Sequence, residues 1–321
     1  VVSGTTPRIG AVVRDVYRRP GAGAVPQHLE GQYGVRVAAT AKLDAGVYKV
    51  ELVDGRTWVA RLFVIGRSAA RAEEDAEVLR FLDRHEFPAE RCAHPEPVSA
   101  LDGRAVLVTE HVEGKGVRGT PASRRQLGEL LGRLHVLPTE PGPTQRPAGS
   151  LHHLPQYEGY PSQDLAAAHA MLADLDGRVP PKHQQTYDAL QELLPKGDDG
   201  DGLPQALVHP DPAPSNLIAG PTGAVLIDWT GAGQGPRLAS LAVLLASAGP
   251  EHIADVLAGY RAHVTLTAEE LDRLEGVLWV RALWLAAWQC WLAVVSPKVT
   301  KAYVPHPERI TAIAARTREC A

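Results

Sequence analysis

Cysteine is scarce, with only Cys92, Cys290 and Cys320 in 321 residues. The three are far apart and form neither a metal-ligand spacing nor an even disulfide framework. The chain is therefore no zinc module and no disulfide-stapled scaffold, and cytoplasm is the expected compartment. A basic excess is also missing. Lys and Arg total 33 against 37 Asp and Glu, for a net charge of −4, which removes the electrostatic footprint of a nucleic-acid partner. Val1-Val2-Ser3-Gly4-Thr5 offers no charged start and apolar run, so no signal peptide is expected. The longest apolar stretch, Val277 to Val295, contains Arg281 and Gln289 and shows helical sidedness. It reads as a buried helix rather than a membrane span. What remains is an ordinary globular balance, 45% hydrophobic and 22% charged. The length suits two domains or one two-lobed domain.

The chemistry is concentrated between His209 and Trp229. The stretch opens His209-Pro210-Asp211-Pro212-Ala213-Pro214-Ser215-Asn216 and closes, after a turn, with Ala224-Val225-Leu226-Ile227-Asp228-Trp229. Ala206-Leu207-Val208 delivers the chain as a short buried strand. Prolines at 210, 212 and 214 stiffen the loop and remove backbone donors. Leu217-Ile218-Ala219 and Ala224-Val225-Leu226-Ile227 read as a hairpin, which brings Asn216 and Asp228 to one end of neighbouring strands. One carboxylate to orient or deprotonate a hydroxyl, with an amide and a second carboxylate to hold magnesium, is the set that phosphoryl transfer from a nucleotide needs.

This constellation resembles the aminoglycoside phosphotransferase and choline kinase-like family, small-molecule relatives of the protein kinases. The resemblance runs from about Val37 to about Ala293. It implies an α+β, two-lobed protein kinase-like fold, with an antiparallel sheet and helix in the N-lobe and a larger, mainly helical C-lobe. Residues 1–113 would form the nucleotide lobe, 1–32 being an extension, and 114–321 the helical lobe. Asp211 would be the catalytic base, His209 would brace the loop, and Asn216 and Asp228 would hold Mg2+. ATP would be the phosphoryl donor. The family's usual aspartate at the position of Ser240 is absent, so the bracing of the catalytic loop is expected to be weaker or to come from elsewhere.

Upstream, strands are expected over Tyr33 to Ala41, Gly46 to Leu52 and Thr57 to Phe63. The turn Lys42-Leu43-Asp44-Ala45-Gly46 occupies the place where the family covers the phosphates, but it holds one glycine and reads equally as an ordinary hairpin turn. In the third strand, alternation puts Trp58, Ala60 and Leu62 on one face and Arg61 on the other. A mid-strand cation needs an anionic partner. Arg61 therefore either takes the family's phosphate-binding lysine position or makes a surface salt bridge. Ser68 to Arg84 reads as a helix. The family match places Asp75 where a glutamate usually pairs the strand cation, with Glu74 and Glu77 as substitutes; the acids could equally just complement the helix dipole. Gly103 to Gly114 reads as a buried strand running into a hinge, where the resemblance has adenine read by the carbonyl of Thr109 and the amide of His111.

Helices are expected over Ser123 to Leu137, Gln163 to Leu175, Pro181 to Leu194 and Leu271 to Val294, with a mobile acidic linker from Gly197 to Gly202. Trp284, Trp288 and Trp291 share one helical face. They are core, or one lines an acceptor pocket, with Glu158, Asp164, Glu269, Glu270 and Asp272 as acids near its rim. The expected partner is a small-molecule hydroxyl acceptor, an amino sugar or aminoglycoside-like antibiotic first. Choline-like amino alcohols, homoserine and ketosamines follow. No nucleic acid or membrane is expected, and the protein would be a monomer or homodimer. The rival is a nucleotide-binding regulator without catalysis. A protein kinase is disfavoured, since no activation segment ending in Ala-Pro-Glu follows Asp228.

Overall fold

The computed structural model describes residues 23–65, 67–139, 145–149, 163–221, 223–295 and 302–321. Glu158 and the first five residues lie outside the described residues. Helix α1 (Ala24–Tyr33) precedes a five-stranded antiparallel sheet formed by β1 (Val37–Asp44), β2 (Val47–Leu52), β3 (Thr57–Leu62), β4 (Val98–Leu101) and β5 (Arg104–Glu110) in the order β1-β2-β3-β5-β4. The first strand was expected to begin at Tyr33. Tyr33 is instead the last residue of α1, which buries Val25 and Leu29 against the sheet. The alternation of β3 is as the sequence implies. Trp58, Ala60 and Leu62 are buried in the core beneath α1, and Arg61 emerges on the opposite face. That face is covered by α2 (Ala69–Arg84), whose first turn is capped by Ser68, the hydroxyl accepting the amide of Arg71 at 3.3 Å.

After β5 the chain leaves the sheet. Its next strand, β6 (Lys115–Gly116), pairs with β8 (Leu217–Gly220), which pairs in turn with β9 (Gly223–Leu226). The expected hairpin is therefore present, with Leu217 opposite Leu226. A separate ribbon joins β7 (Gln205–Val208) to β10 (Gly233–Pro236), with Val208 opposite Gly233. The rest of this lobe is helical: α3 (Pro121–His135), α4 (Asp164–Asp174), α5 (Pro181–Leu193), α6 (Arg237–Ala248), α7 (Ile253–Tyr260), α8 (Ala268–Val295) and α9 (Pro307–Cys320). Helices α3 and α7 cross at backbone contact. A Cβ on Gly259 would lie 1.9 Å from the carbonyl oxygen of Arg125, so no larger residue fits.

α8 is the one described helix long and apolar enough to cross a membrane. It carries Arg281, and 56% of its apolar window is buried inside the protein. The segment 197–202, expected to be a mobile acidic linker, is pinned. Arg273 on α8 donates to both carboxylate oxygens of Asp198, at 2.8 and 2.6 Å, and Asp198 also accepts the amide of Gly200. A bidentate guanidinium–carboxylate pair fixes orientation as well as distance, which composition alone does not reveal.

Candidate active site

β7 delivers the chain to His209, whose side chain is fully buried. Its Nδ1 accepts the amide of Asp211 at 3.0 Å, and its Nε2 lies 3.1 Å from the carbonyl oxygen of Ile227. With Nδ1 accepting, the proton sits on Nε2 and is donated to Ile227. Burial holds the imidazole pKa below its ordinary value, against the pull of Asp228 and Asp211. His209 is thus a neutral crosspiece between the catalytic loop and the strand end before Asp228. Trp229 packs edge-on against it at 4.7 Å and also against Phe87. The expected weakness at Ser240 is met by geometry. Ser240, on α6, accepts the His209 amide at 3.1 Å and donates to the His209 carbonyl at 2.6 Å.

Asp211 projects from this loop with its side chain 46% exposed. The amide nitrogen of Asn216 donates to the Asp211 carbonyl at 2.9 Å and to Asp211 Oδ2 at 3.3 Å. With its nitrogen donating, the Asn216 amide keeps its oxygen as an acceptor that could ligate a cation. β8 and β9 bring it beside Asp228, because Ile227 donates its amide to the Asn216 carbonyl at 2.9 Å. Two oxygen donors at one strand end suit Mg2+, a hard cation that keeps several waters and takes phosphate oxygens as further ligands. Among the described residues no cluster of three or more His, Cys, Asp or Glu gathers to hold a metal, so any cation here would take its remaining ligands from water and phosphate.

Asp228 adopts a φ of 69°, the left-handed region that costs a non-glycine residue about 1–3 kcal/mol. Glu90 lies against it. Glu90 Oε1 accepts the Asp228 amide at 3.0 Å, and Glu90 Oε2 accepts the Thr109 hydroxyl at 3.3 Å. Burial pushes the Glu90 carboxyl pKa up, while Arg61 opposes the shift. Arg61 meets the other side of the aspartate, with a guanidinium nitrogen 3.0 Å from Asp228 Oδ1. Burial works against the charge on Arg61, but attraction to Asp228, Glu90, Asp75 and Asp44 raises its pKa overall.

The expected pairing of Arg61 with Asp75 is not formed. Asp75 is 1% exposed and faces Arg67 and Arg146 instead. The Arg146 guanidinium bonds Asp75 Oδ1 at 2.7 Å and the Ala232 carbonyl at 2.6 Å. Asp75 shares a small crevice with Arg61, Glu90 and Thr109, but the aspartate is a methylene shorter than the usual glutamate and is held back by two nearer guanidiniums. Glu74 and Glu77 do not take the role. Glu74 approaches Arg146 at 3.6 Å, and Glu77 binds Arg80.

In the hinge, the His111 amide donates to the Thr57 carbonyl at 2.9 Å. Thr109, two residues earlier and opposite Val59, therefore also turns its amide and carbonyl to β3. The adenine contacts assigned to these two groups are thus consumed in the sheet. The β1–β2 turn is tight. The Gly46 carbonyl accepts the Leu62 amide at 2.7 Å, its φ is 74°, and a Cβ there would fall 2.5 Å from the Leu62 oxygen. Gly46 is thus tied to β3 beside Arg61, whereas Lys42 stands exposed on β1 opposite Tyr48.

Behind the catalytic loop lies a cavity of about 420 Å³ lined by His209, Pro210, Asp164, Asp199, Asp201 and Arg281, among others. Arg281 stacks over Trp284 at 4.8 Å and stands 3.7 Å from both Asp211 Oδ1 and Asp164 Oδ2. Of the described acids named from sequence, only Asp164 lines this cavity. Glu270 is buried in a bidentate pair with Arg237, at 2.7 and 2.8 Å, and Glu269 joins Arg273. Asp272 borders a different surface hollow. Trp279, Trp284 and Trp291 are core residues, with Trp288 stacked on Trp284. Sequence reasoning missed Glu90, Arg67 and Arg146, and gave Arg281 no role. Only Arg281 had a signal, as a cation in an otherwise apolar helix.

The profile of the phosphotransferase enzyme family matches residues 38–277, and the chain belongs to that family. It is a small-molecule phosphotransferase with a protein kinase-like fold. Similar solved structures include an aminoglycoside phosphotransferase from Alicyclobacillus acidocaldarius (TM-score 0.57, 17% identity, covering 94% of this chain and 95% of that one). A spectinomycin phosphotransferase in complex with ADP and spectinomycin gives 0.58, 14%, 94% and 95%. The choline kinase of Streptococcus pneumoniae gives 0.58, 13%, 92% and 95%. No curated protein sequence matches significantly.

Proposed function

We propose that this protein transfers the γ-phosphoryl group of magnesium ATP to a hydroxyl of an amino sugar or aminoglycoside-like antibiotic. The observation that carries the reading is the meeting of Asp211, Asn216, Asp228 and Arg61 at one strand end. Bound Mg2+ would neutralise charge on the phosphates, with Asn216 and Asp228 as its protein ligands. Arg61 would turn its fork of donors to phosphate oxygens. Asp211 Oδ1 would accept the proton of the acceptor hydroxyl as its oxygen attacks the γ-phosphorus. The bond from that phosphorus to the β,γ-bridging oxygen breaks, and ADP leaves. His209 keeps the loop rigid and moves no proton. Adenine would be read by the carbonyl of Glu110 and the amide of Val112, the hinge groups beyond the consumed ladder positions.

The acceptor class rests on Asp164, Asp199 and Asp201 in the cavity beside the base, carboxylates suited to ammonium groups. Amino alcohols, homoserine and ketosamines are the next candidates. The phosphotransferase solved with spectinomycin supports the antibiotic reading by analogy of fold.

The test is thermal unfolding with magnesium ATP, with ATP plus chelator, and with neither, followed by an acceptor screen with Asp211→Asn as control. Ligand at 100 times its Kd adds about 2.7 kcal/mol. The reading requires a magnesium-dependent rise and transfer that Asp211→Asn abolishes while still binding nucleotide. Absence of the rise, or near-normal turnover in the variant, overturns it.

A further inference from the structure

We infer that Glu90 is a positioning residue for the metal-binding aspartate, fixing the backbone from which the Asp228 carboxylate is presented to the cation. The inference rests on the proposed magnesium site and adds to it a residue that the reaction's chemistry does not itself require.

The argument begins with register. The segment after α2 runs parallel to the end of β9. Ala89 bridges Leu226, and the Leu226 amide donates to the Pro88 carbonyl at 3.0 Å. A parallel ladder continued by two residues would send the Asp228 amide to the backbone carbonyl of Glu90. The chain departs from that ladder because Asp228 turns to a φ of 69°. The acceptor at that step is the Glu90 side chain, with Oε1 3.0 Å from the Asp228 nitrogen. The same carboxylate is itself held from β5 by the Thr109 hydroxyl. Glu90 thus substitutes for a main-chain carbonyl where the main chain bends away.

The placement has two consequences for the site. The amide entering the left-handed turn is satisfied by a side-chain oxygen set at the right reach, so the strained conformation is held before any ligand arrives. With its oxygens taken by an amide and a hydroxyl, Glu90 acts behind Asp228 and leaves the Asp228 carboxylate, 41% exposed, as the group that faces the cleft and Arg61. Trp229 follows in the opposite direction, into the core against Phe87 and His209.

A positioning role makes geometry matter more than charge. Glu90→Gln keeps an acceptor oxygen of the same reach. Glu90→Asp keeps the charge and withdraws it by a methylene. Affinity for ADP is measured on the full-length protein by calorimetric titration, with magnesium and with chelator, and thermal melts establish that each variant is folded. Glu90→Gln should keep the magnesium-dependent gain in affinity within about twofold, whereas Glu90→Asp should lose about tenfold of it, the scale of one misplaced hydrogen bond. Binding without magnesium should be unchanged in both. The reverse order, with Gln losing the gain and Asp keeping it, would show that Glu90 acts through charge and would overturn the inference. An undiminished gain in Glu90→Asp also overturns it. If Glu90→Asp does not fold, the Gln variant decides alone, since loss of the gain there is fatal. A wild-type protein with no magnesium-dependent gain fails the proposed function itself, an outcome readable before any variant is made.

Discussion

Ser240 holds His209 by both of its backbone polar groups, one hydroxyl accepting the amide and donating to the carbonyl. Both residues are buried, at 2% and 0% exposure. Where the family resemblance led to the expectation of an aspartate, this chain braces the loop with a neutral group that needs no compensating charge.

Ser240→Ala should therefore leave a buried amide and a buried carbonyl without partners, costing about 1–3 kcal/mol. For a chain of this size that lowers Tm by roughly 1.5 °C per kcal/mol. Turnover should fall with it, because His209 in turn sets the Asp211 amide. A variant with unchanged Tm and kcat would remove Ser240 from the bracing of the loop.

Asp75 gives a prediction that separates two roles. It is buried between Arg67 and Arg146, and the Arg67 Nε and Nη1 have no hydrogen-bond partner. Burial already pulls the Arg67 pKa down to about 10. Asp75→Asn removes the compensating charge from two guanidiniums and should cost about 3–5 kcal/mol, seen as a large drop in the denaturation midpoint. A residue whose duty was to hold the phosphate-binding cation would instead raise the nucleotide KM and leave stability nearly intact. That result would restore the pairing with Arg61.

Much of this architecture was legible in the chain because local periodicity and joint motifs leave marks. The alternation Trp58-Val59-Ala60-Arg61-Leu62 fixes which face of β3 bears the cation. The hairpin from Leu217 to Ile227 carries Asn216 and Asp228 to one end. What was not legible depends on separations that no window spans. Glu90 reaches Asp228 across 138 positions, and Arg146 reaches Asp75 across 71. The choice of Arg67 and Arg146 over Arg61 as the partner of Asp75 follows from one methylene and from loop placement. The hinge amide of His111 was misassigned by a single step of ladder alternation, which only the observed register resolves.

Acid should destabilise the protein through His135. Burial beneath α7 lowers its pKa to about 3, with Arg237 contributing. Its Nδ1 meets the Tyr260 hydroxyl at 2.9 Å, and its Nε2 has no partner. The unfolded imidazole titrates near 6.5, so the contribution to stability is complete above that pH. It is lost as pH falls from about 6.5 toward about 3, because only the unfolded state takes up the proton. The slope is at most about 1.4 kcal/mol per pH unit for one such group. Urea melts at pH 7.5 and 5.0 should differ accordingly, and His135→Leu should flatten that difference. An equal pH dependence in the variant would assign the effect elsewhere, with buried His209 the next candidate.

Arg281 allows the charge of the acceptor to be read without knowing its structure. The guanidinium lies 3.7 Å from Asp211 and from Asp164 while resting on Trp284. It sits in the cavity that the acceptor would enter. At those distances and with the side chain 20% exposed, its pairs contribute about 1 kcal/mol or less to folding, so Arg281→Gln should melt within a few degrees of the parent. Its effect on binding is larger in kind. A cationic acceptor must enter against this charge and compete with it for Asp164, so removing the guanidinium should lower the KM of an amino-sugar acceptor several-fold, roughly the scale of one partly screened charge contact. The nucleotide KM should stay as it was, since Arg61 and not Arg281 meets Asp228. If the acceptor KM rises instead while the nucleotide KM holds, Arg281 binds the acceptor, and the acceptor then carries an anionic group beside the reacting hydroxyl rather than an ammonium.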